Sequence, residues 1–230
     1  MKDPHAHDHH ESHDHGDHAH GPGHRHPDQP DHDDTLTYYR KLEMAVRELL
    51  IGKGIITADE VRKVIEDIES RSPEGGARVV ARAWTDPQFK EALLRDATAA
   101  CTQMGFEMAL YDVKLTVVEN TPEVHNVVVC TLCSCYPRML LGLPPAWYKS
   151  RAYRSRAVRE PRAVLREFGW ELPDTVSVRV HDSTADLRYL VLPMRPAGTE
   201  GMSEAELTAI VTRDSMIGTA IVQAPQKAVK

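Results

Sequence analysis

Apolar residues recur every three or four positions over residues 38–52 and again over residues 57–70, as they do along one face of an α-helix. Thr57 opens the second stretch and Glu60 follows three positions later, which is the spacing of a capping box. Two such helices contain too few apolar side chains to form a core of their own. The pattern therefore predicts a helical arm over residues 35–75 that packs on something else, in our interpretation another subunit.

The remaining pattern mixes helix and strand, which predicts an α+β domain over residues 76–230. Helical periodicity is expected over residues 76–84, 88–104, 153–168 (interrupted near Pro161) and 203–212. Runs rich in β-branched residues predict strands over residues 114–119, 124–129, 177–181 and 188–192. These strands are expected to be antiparallel, with helices flanking them in layers.

The first 34 residues have a different composition from the rest of the chain. They hold eleven of the thirteen histidines and nine acidic residues against two basic ones, so they carry more than the whole net charge of −6. No large aliphatic or aromatic residue lies between His5 and Asp34, so nothing there can be buried to offset the entropy of ordering. We expect a disordered His/Asp-rich tail over residues 1–34, which either captures metal or serves as a solubilising appendage.

Composition narrows the class of protein. A chain of 230 residues fits one domain with appendages, and it contains neither an apolar run long enough to cross a membrane nor a secretory leader. Outside the tail the charges nearly balance, which gives no support to a nucleic-acid partner. Four cysteines, three of them clustered, do not make a disulfide framework, so the expected location is the cytoplasm.

Three cysteines lie in the six residues that directly follow the apolar run 127–129. Cys130, Cys133 and Cys135 form a C-x2-C-x-C pattern, and soft thiolates at such spacing select transition metals. The chain has no second C-x2-C pair to complete a zinc knuckle, so a metal held here must draw its other donors from the loop itself, including its backbone. The alternatives are a structural zinc loop and three unrelated core cysteines. Cys101, which lies in a helical pattern, is expected to be an ordinary buried cysteine.

The only histidines outside the tail are His125 and His181, and both lie in strand patterns. Histidines at such positions are more often hydrogen-bonded structural residues than metal ligands, and that is the expectation here.

The segment Val-Cys-Thr-Leu-Cys-Ser-Cys-Tyr-Pro, residues 129–137, resembles the metal-binding motif of nitrile hydratase α subunits. Thr131 matches the form associated with cobalt, since the iron form has Ser there. The resemblance covers about residues 40–222 and includes five further segments: 142–150, 153–156, 159–162, 195–201 and 211–218. It implies a fold with an extended N-terminal helical arm and a layered α-β-β-α domain, here the metal-binding catalytic domain of residues 76–230.

The resemblance also implies a ligand set and a reaction. Cys130, Cys133 and Cys135 would bind through sulfur, and Ser134 and Cys135 through their deprotonated amide nitrogens, to one low-spin Co(III) or, as the alternative, Fe(III). It implies that Cys133 is oxidised to sulfinic acid and Cys135 to sulfenic acid. Arginines of a β-type partner subunit would hold the sulfur oxygens in a hetero-oligomer. The catalytic group would be Cys133, Ser134 and Cys135, and the reaction the hydration of a nitrile to its amide.

One of the departures from that pattern keeps a second function open. Nitrile hydratases usually carry Trp where this chain has Arg138, and at this point the chain is similar to the γ subunit of thiocyanate hydrolase, which converts thiocyanate to carbonyl sulfide and ammonia. Arg138 suits an anion, and Arg138 with Tyr136 is the candidate substrate pocket. A third hypothesis, a non-enzymatic metal carrier built on the tail, leaves the cysteine motif unexplained.

Overall fold

The computed structural model describes residues 36–108 and 113–225 of the chain. The histidine-rich tail predicted over residues 1–34 lies outside these ranges. The helices are α1 (Tyr38–Gly52), α2 (Ala58–Ser70), α3 (Glu74–Thr85), α4 (Pro87–Arg95), α5 (Ala97–Gln103), α6 (Arg138–Leu141), α7 (Ala146–Lys149), α8 (Arg151–Arg159), α9 (Pro161–Glu167), α10 (Glu204–Ile210) and α11 (Arg213–Ile217). The strands are β1 (Lys114–Glu119), β2 (Val124–Val129), β3 (Ser177–Asp182) and β4 (Leu187–Leu192). In these ranges no helix is long and apolar enough to cross a membrane.

The expected α+β class is confirmed, but the expectation of antiparallel strands is wrong. β1 pairs with β4, and β2 pairs with β3, and both pairs are parallel. The short connection from β1 to β2 does not make a hairpin, because the two strands lie in different sheets. β1 and β2 each pair with a strand that begins more than 45 residues further along the chain, after the helices α6–α9. Parallel pairing requires long crossovers of this kind.

Helices cover both outer faces of the two packed sheets. α4 and α5 pack on β1, while α8 packs on β2 and α9 on β3, and α11 reaches both β2 and β4. The core between these layers is formed by aliphatic side chains from both sheets, with Leu190 and Val128 among those that are fully or almost fully buried. The order of layers is therefore helix, sheet, sheet, helix, which places the end of β2 at the centre of the domain's packing.

The long helix expected over residues 88–104 is divided in two. Asp96 adopts an extended backbone conformation that ends α4, and its side chain accepts a hydrogen bond from the backbone N–H of Ala99 at the start of α5. An aspartate at that position favours a cap over a continuous helix because its carboxylate satisfies free amides of the new first turn. The break expected near Pro161 is confirmed, with Pro161 at the first position of α9. The short helices α6, α7 and α11 were not predicted; the last helix expected over residues 203–212 is α10, and α11 follows it as a separate helix.

A polar cluster ties β2 to the end of α11. His125 donates from Nε2 to the carbonyl of Gly218 at 2.7 Å, and its Nδ1 lies 3.3 Å from the amide of Asn120. His181 donates to Asn126 at 2.8 Å. Burial lowers the pKa of both imidazoles, which keeps the rings neutral in their hydrogen bonds. Both histidines are thus satisfied within the structure, as expected.

Candidate metal centre

The six residues that leave the end of β2, Cys130 to Cys135, form the cysteine loop. Parallel register places Asp182, the last residue of β3, opposite Val129, the last residue of β2. The Asp182 carboxylate therefore lies at the same sheet edge as the loop. It accepts hydrogen bonds from the backbone N–H of Thr131 at 2.9 Å and from its hydroxyl at 2.6 Å. A charged acceptor with two donors from one residue fixes where the loop begins.

Side chains from α7 and α8 hold the other parts of the loop. The Tyr148 hydroxyl donates to the carbonyl of Cys135 at 2.8 Å, and the Arg154 guanidinium reaches the carbonyl of Thr131 at 3.5 Å. Tyr153 donates to the carbonyl of Val128 at 2.7 Å, just before the loop. Tyr148 and Tyr153 are fully buried. The loop is thus attached at both ends to the core of the domain.

The three sulfur atoms converge within this loop. Cys130 Sγ lies 3.5 Å from Cys133 Sγ, which lies 3.3 Å from Cys135 Sγ, and all three fall within 4.8 Å of one another. Cys130 is fully buried, Cys135 is half-buried and Cys133 is exposed. Among the residues that the structure describes, this is the group of cysteine, histidine and acidic side chains that could hold a metal ion.

The thiols differ in how readily they ionise. For Cys133, partial desolvation raises the pKa, but hydrogen bonds from the Cys135 and Cys130 thiols and from the backbone N–H groups of Ser134 and Cys135 outweigh it and lower the pKa overall. For Cys135, desolvation and the hydrogen bond to Cys133 raise the pKa to about 12, against the opposing charge of Arg188. Cys133 therefore ionises more readily than Cys135.

The donor set fits a metal with right-angled coordination. Two sulfurs at about 2.3 Å from one ion lie about 3.3 Å apart at a right angle and about 3.8 Å apart at the tetrahedral angle. The spacing of 3.3 Å between Cys133 and Cys135 matches the first value, and the spacing of 3.5 Å between Cys130 and Cys133 lies midway between the two. The backbone N–H of Cys133 donates to Cys130 Sγ at 3.3 Å, so the loop backbone also reaches the sulfur cluster. This arrangement suits an octahedral ion better than the tetrahedral zinc of the alternative interpretation.

A cavity of about 240 Å³ opens beside the sulfurs. Both candidate pocket residues, Tyr136 and Arg138, line it, together with Cys133, Ser134 and Cys135. Tyr136 is 3% exposed, and its hydroxyl has no hydrogen-bond partner in the described part of the chain.

Two residues at the site were not predicted from the sequence. Arg188, near the start of β4, lines the cavity, and Asp182 holds Thr131. Neither has a local motif, since both reach the loop through the strand pairing. Asp182 could have been identified only from the correct parallel register of β2 and β3, which places this residue beside the end of β2.

The chain matches the model of a known family, described as the nitrile hydratase alpha chain, over residues 37–220. It is 52% identical over 185 residues to the alpha subunit of the low-molecular weight cobalt-containing nitrile hydratase of Rhodococcus rhodochrous, covering 80% of this chain and 89% of that protein. It is 45% identical over 190 residues to the gamma subunit of thiocyanate hydrolase of Thiobacillus thioparus, covering 78% of each.

Solved structures of a nitrile hydratase and of a thiocyanate hydrolase also resemble this chain. A double mutant of the Fe-type nitrile hydratase of Comamonas testosteroni Ni1 superposes with a TM-score of 0.76 at 41% identity, covering 86% of this chain and 96% of that chain. A recombinant thiocyanate hydrolase with partially modified cobalt centres superposes with a TM-score of 0.75 at 42% identity, covering 85% of this chain and 98% of that chain.

Proposed function

Since the chain belongs to the nitrile hydratase α-chain family, we propose that it is the metal-bearing subunit of a nitrile hydratase, which hydrates a nitrile to its amide at the cysteine loop. The observation that carries this proposal is the convergence of three thiols, with the backbone N–H of Cys133 donating to Cys130 Sγ, at the wall of a small cavity. A structural metal loop needs no such cavity, and a carrier needs no such fixed geometry.

The metal in this proposal is cobalt, one ion per chain, in its low-spin trivalent state. Cys130, Cys133 and Cys135 would hold it through sulfur, and Ser134 and Cys135 through their amide nitrogens. Thr131 at the cobalt-associated position and cobalt-containing relatives near 50% identity support cobalt over iron. The ion, when bound, supplies Lewis acidity toward the nitrile nitrogen.

We propose that Cys133 is oxidised to the sulfinic acid and Cys135 to the sulfenic acid, while Cys130 stays a thiolate. The exposure of the three thiols supports this order, because oxidants reach Cys133 freely and Cys135 in part. Cys130 is fully buried at the end of β2 and is protected.

The chain's own residues keep the loop in place for the reaction. Asp182 and Tyr148 hold Thr131 and Cys135, so the sulfurs and the Ser134 amide do not need to rearrange when substrate enters. Tyr136 closes one side of the cavity, and the charge of Arg188 acts on Cys135 from another.

A β-type subunit is the proposed partner, with the active site at the boundary between the two chains. The support is the arm: α1 and α2 contain no buried residue, although apolar side chains such as Leu49 and Val64 are more than half exposed. Positive groups of such a partner would hold the oxygens of Cys133 and Cys135. We further propose that the complex is cytoplasmic, on the ground of its free clustered cysteines.

Thiocyanate hydrolysis is the second candidate function. It is favoured by Arg138, which lies in the wall of the cavity where an anion would enter, and by 45% identity to the gamma subunit of a thiocyanate hydrolase.

The experiment that tests the proposal is co-expression of the chain with its β-type partner in cobalt medium, followed by metal analysis and assay. We expect one cobalt per chain and conversion of a small nitrile such as propanenitrile to its amide. The metal content should not change when residues 1–34 are deleted. Active, tail-deleted protein that contained zinc, or no metal, would contradict the proposal, and turnover of thiocyanate alone would favour the second candidate.

A further inference from the structure

The cavity beside the cysteine loop has a one-sided charge. Its lining residues, as far as the structure describes them, include two arginines, Arg138 and Arg188, and no carboxylate. Two guanidinium groups in one small cavity repel each other unless negative charge lies between them. The two arginines differ in whether other groups of the chain already engage their donors.

Arg188 is held by backbone groups. Its Nη1 donates to the carbonyls of Ala185 at 3.1 Å and Leu187 at 3.3 Å, and also to that of Thr184, so the guanidinium is held in one orientation. The donors of Arg188 are therefore already engaged within its own segment of the chain.

Arg138 is placed differently. It is the first residue of α6, and the three residues after it are buried, so its backbone is anchored while its side chain is exposed. Its guanidinium makes no hydrogen bond or ion pair with any residue in the ranges 36–108 and 113–225. Arg138 thus lines the cavity with donors that no described residue engages.

Tyr136 adds a second polar group to the same wall. Its hydroxyl is buried, and within the described ranges it has no hydrogen-bond partner, which is costly unless water or a ligand supplies one. The cavity of about 240 Å³ is small, so a ligand that contacts Arg138 in it also lies close to Tyr136 and to the cysteine loop.

We propose that the substrate is a short nitrile that carries an anionic group, such as a carboxylate, at the end away from the C≡N bond. This inference rests on the proposed function and names its substrate class. The nitrile end faces the cysteine loop, and the carboxylate pairs with Arg138, whose planar donors match it in a bidentate contact. Arg138 is then a substrate-binding residue that sets specificity, and it has no part in the chemistry at the loop.

The test uses the cobalt-loaded complex of the full chain with its partner and two isosteric nitriles, 3-cyanopropanoate and 3-cyanopropanamide, which differ only in charge. We expect kcat/KM to be higher for the carboxylate. Arg138→Gln should lower the carboxylate-to-amide ratio by about tenfold to a hundredfold, the size of a lost charged hydrogen bond, mostly through KM. Arg151→Gln is the matched control, because Arg151 is exposed on α8 and does not line the cavity; it should leave the ratio unchanged.

A second measurement does not depend on turnover. Calorimetry with the corresponding products should show succinamate binding more tightly than succinamide, and Arg138→Gln should remove the difference.

The outcomes separate the inference from the proposed function. If the complex hydrates propanenitrile but does not prefer the carboxylate, or if the preference survives Arg138→Gln, the inference is overturned and the proposed function stands. If the complex hydrates no nitrile, both are overturned.

Discussion

The cysteine loop and the arm both lie at the surface, yet the rest of the chain supports them in opposite ways. The loop follows a buried strand and is held by Asp182 at one end and Tyr148 at the other. The two helices of the arm bury no residue, whereas α3, which follows directly, buries six. The comparison teaches that this chain holds its cysteine loop with its own core, whereas the apolar faces of its arm are not covered by the described residues.

The arm is formed by local interactions alone. Thr37 and Thr57 cap its helices, and Glu60 completes a capping box with Thr57. Caps of this kind contribute about 1 kcal/mol each, and helices of 15 and 13 residues are marginal without tertiary packing. The apolar stripe on each helix therefore needs a partner, whereas the loop does not need one to keep its shape.

The largest effect is expected from removing the sulfur donors. Cys130→Ala, Cys133→Ala and Cys135→Ala should each reduce activity by more than about a thousandfold, because each removes a proposed metal ligand. Cobalt content per chain, measured with activity, checks the cause. Mass spectrometry of the wild-type peptide that contains Cys133 and Cys135 should also find about three added oxygens, the sum of one sulfinic and one sulfenic group.

Cys101→Ala is the matched control for these variants. Cys101 is fully buried in α5, and burial raises the pKa of its thiol to about 12, so it is inert. Its replacement should cost about 1 kcal/mol of stability and leave cobalt content and kcat unchanged. Loss of cobalt from this variant, or retained activity in a loop variant, would contradict the assignment of the site.

A large effect on stability is expected where β2 meets α11. Gly218 has φ +88°, and a Cβ there would lie 1.9 Å from the carbonyl oxygen of Asn126 on β2. Gly169 has nearly the same φ, +89°, but its Cβ would meet nothing within 4 Å. Gly169→Ala should cost about 1 kcal/mol from the backbone conformation alone. Gly218→Ala should cost at least about 2 kcal/mol more in the free energy of unfolding, since it also pushes β2 away. Equal costs in chemical denaturation would show that this close approach is unimportant.

A smaller effect is expected from weakening the support of the loop. Asp182→Asn removes the charge that accepts both hydrogen bonds of Thr131, and an amide oxygen replaces one of them at best. We expect about a tenfold loss in kcat and a faster loss of cobalt to a chelator. Asp186→Asn is the control, because Asp186 is exposed and its side chain makes no hydrogen bond or ion pair with the described residues. If both variants behaved alike, Asp182 would have no role in holding the loop.

Sequence patterns predicted the strands almost to the residue, since β-branched runs bounded by polar turns are a local signal. The bounds of β1 and β2 are those expected, and β3 and β4 each extend one residue further. The cysteine loop was equally clear, because three ligands lie within six residues. What the sequence could not provide is the strand pairing, because it depends on packing between segments more than 45 residues apart.

That missing information explains the residues that were overlooked at the site. Asp182 and Arg188 carry no motif and come to the loop only through the parallel pairing and the packing of the two sheets. The helices α6 and α7 are too short for a helical period to be recognised. The break at Asp96 was overlooked because apolar spacing continues through it, although the capping preference of aspartate was visible in the sequence.

The smallest of these effects concerns the arm. Leu49 is 56% exposed on α1, so Leu49→Glu should barely change the stability of the chain. In the complex, a charge in a buried apolar contact should weaken association with the partner by about tenfold or more. The neighbouring exposed residue provides the control, as Glu48→Gln should change neither quantity. The affinity of each variant for the partner would be measured by biolayer interferometry. An unchanged Kd for Leu49→Glu would show that α1 is not part of the interface.

The most direct test of the account is to load the chain with cobalt alone and then add the partner. We predict one cobalt per chain in both states, because the loop is held by this chain's own core, and nitrile hydration only after the partner is present. The absorption of the cobalt–thiolate centre and the rate of amide formation would be followed in the same sample. If the chain alone turned over substrate at the rate of the complex, or bound no cobalt without its partner, the proposed division between a self-built metal site and a partner-dependent arm would be wrong.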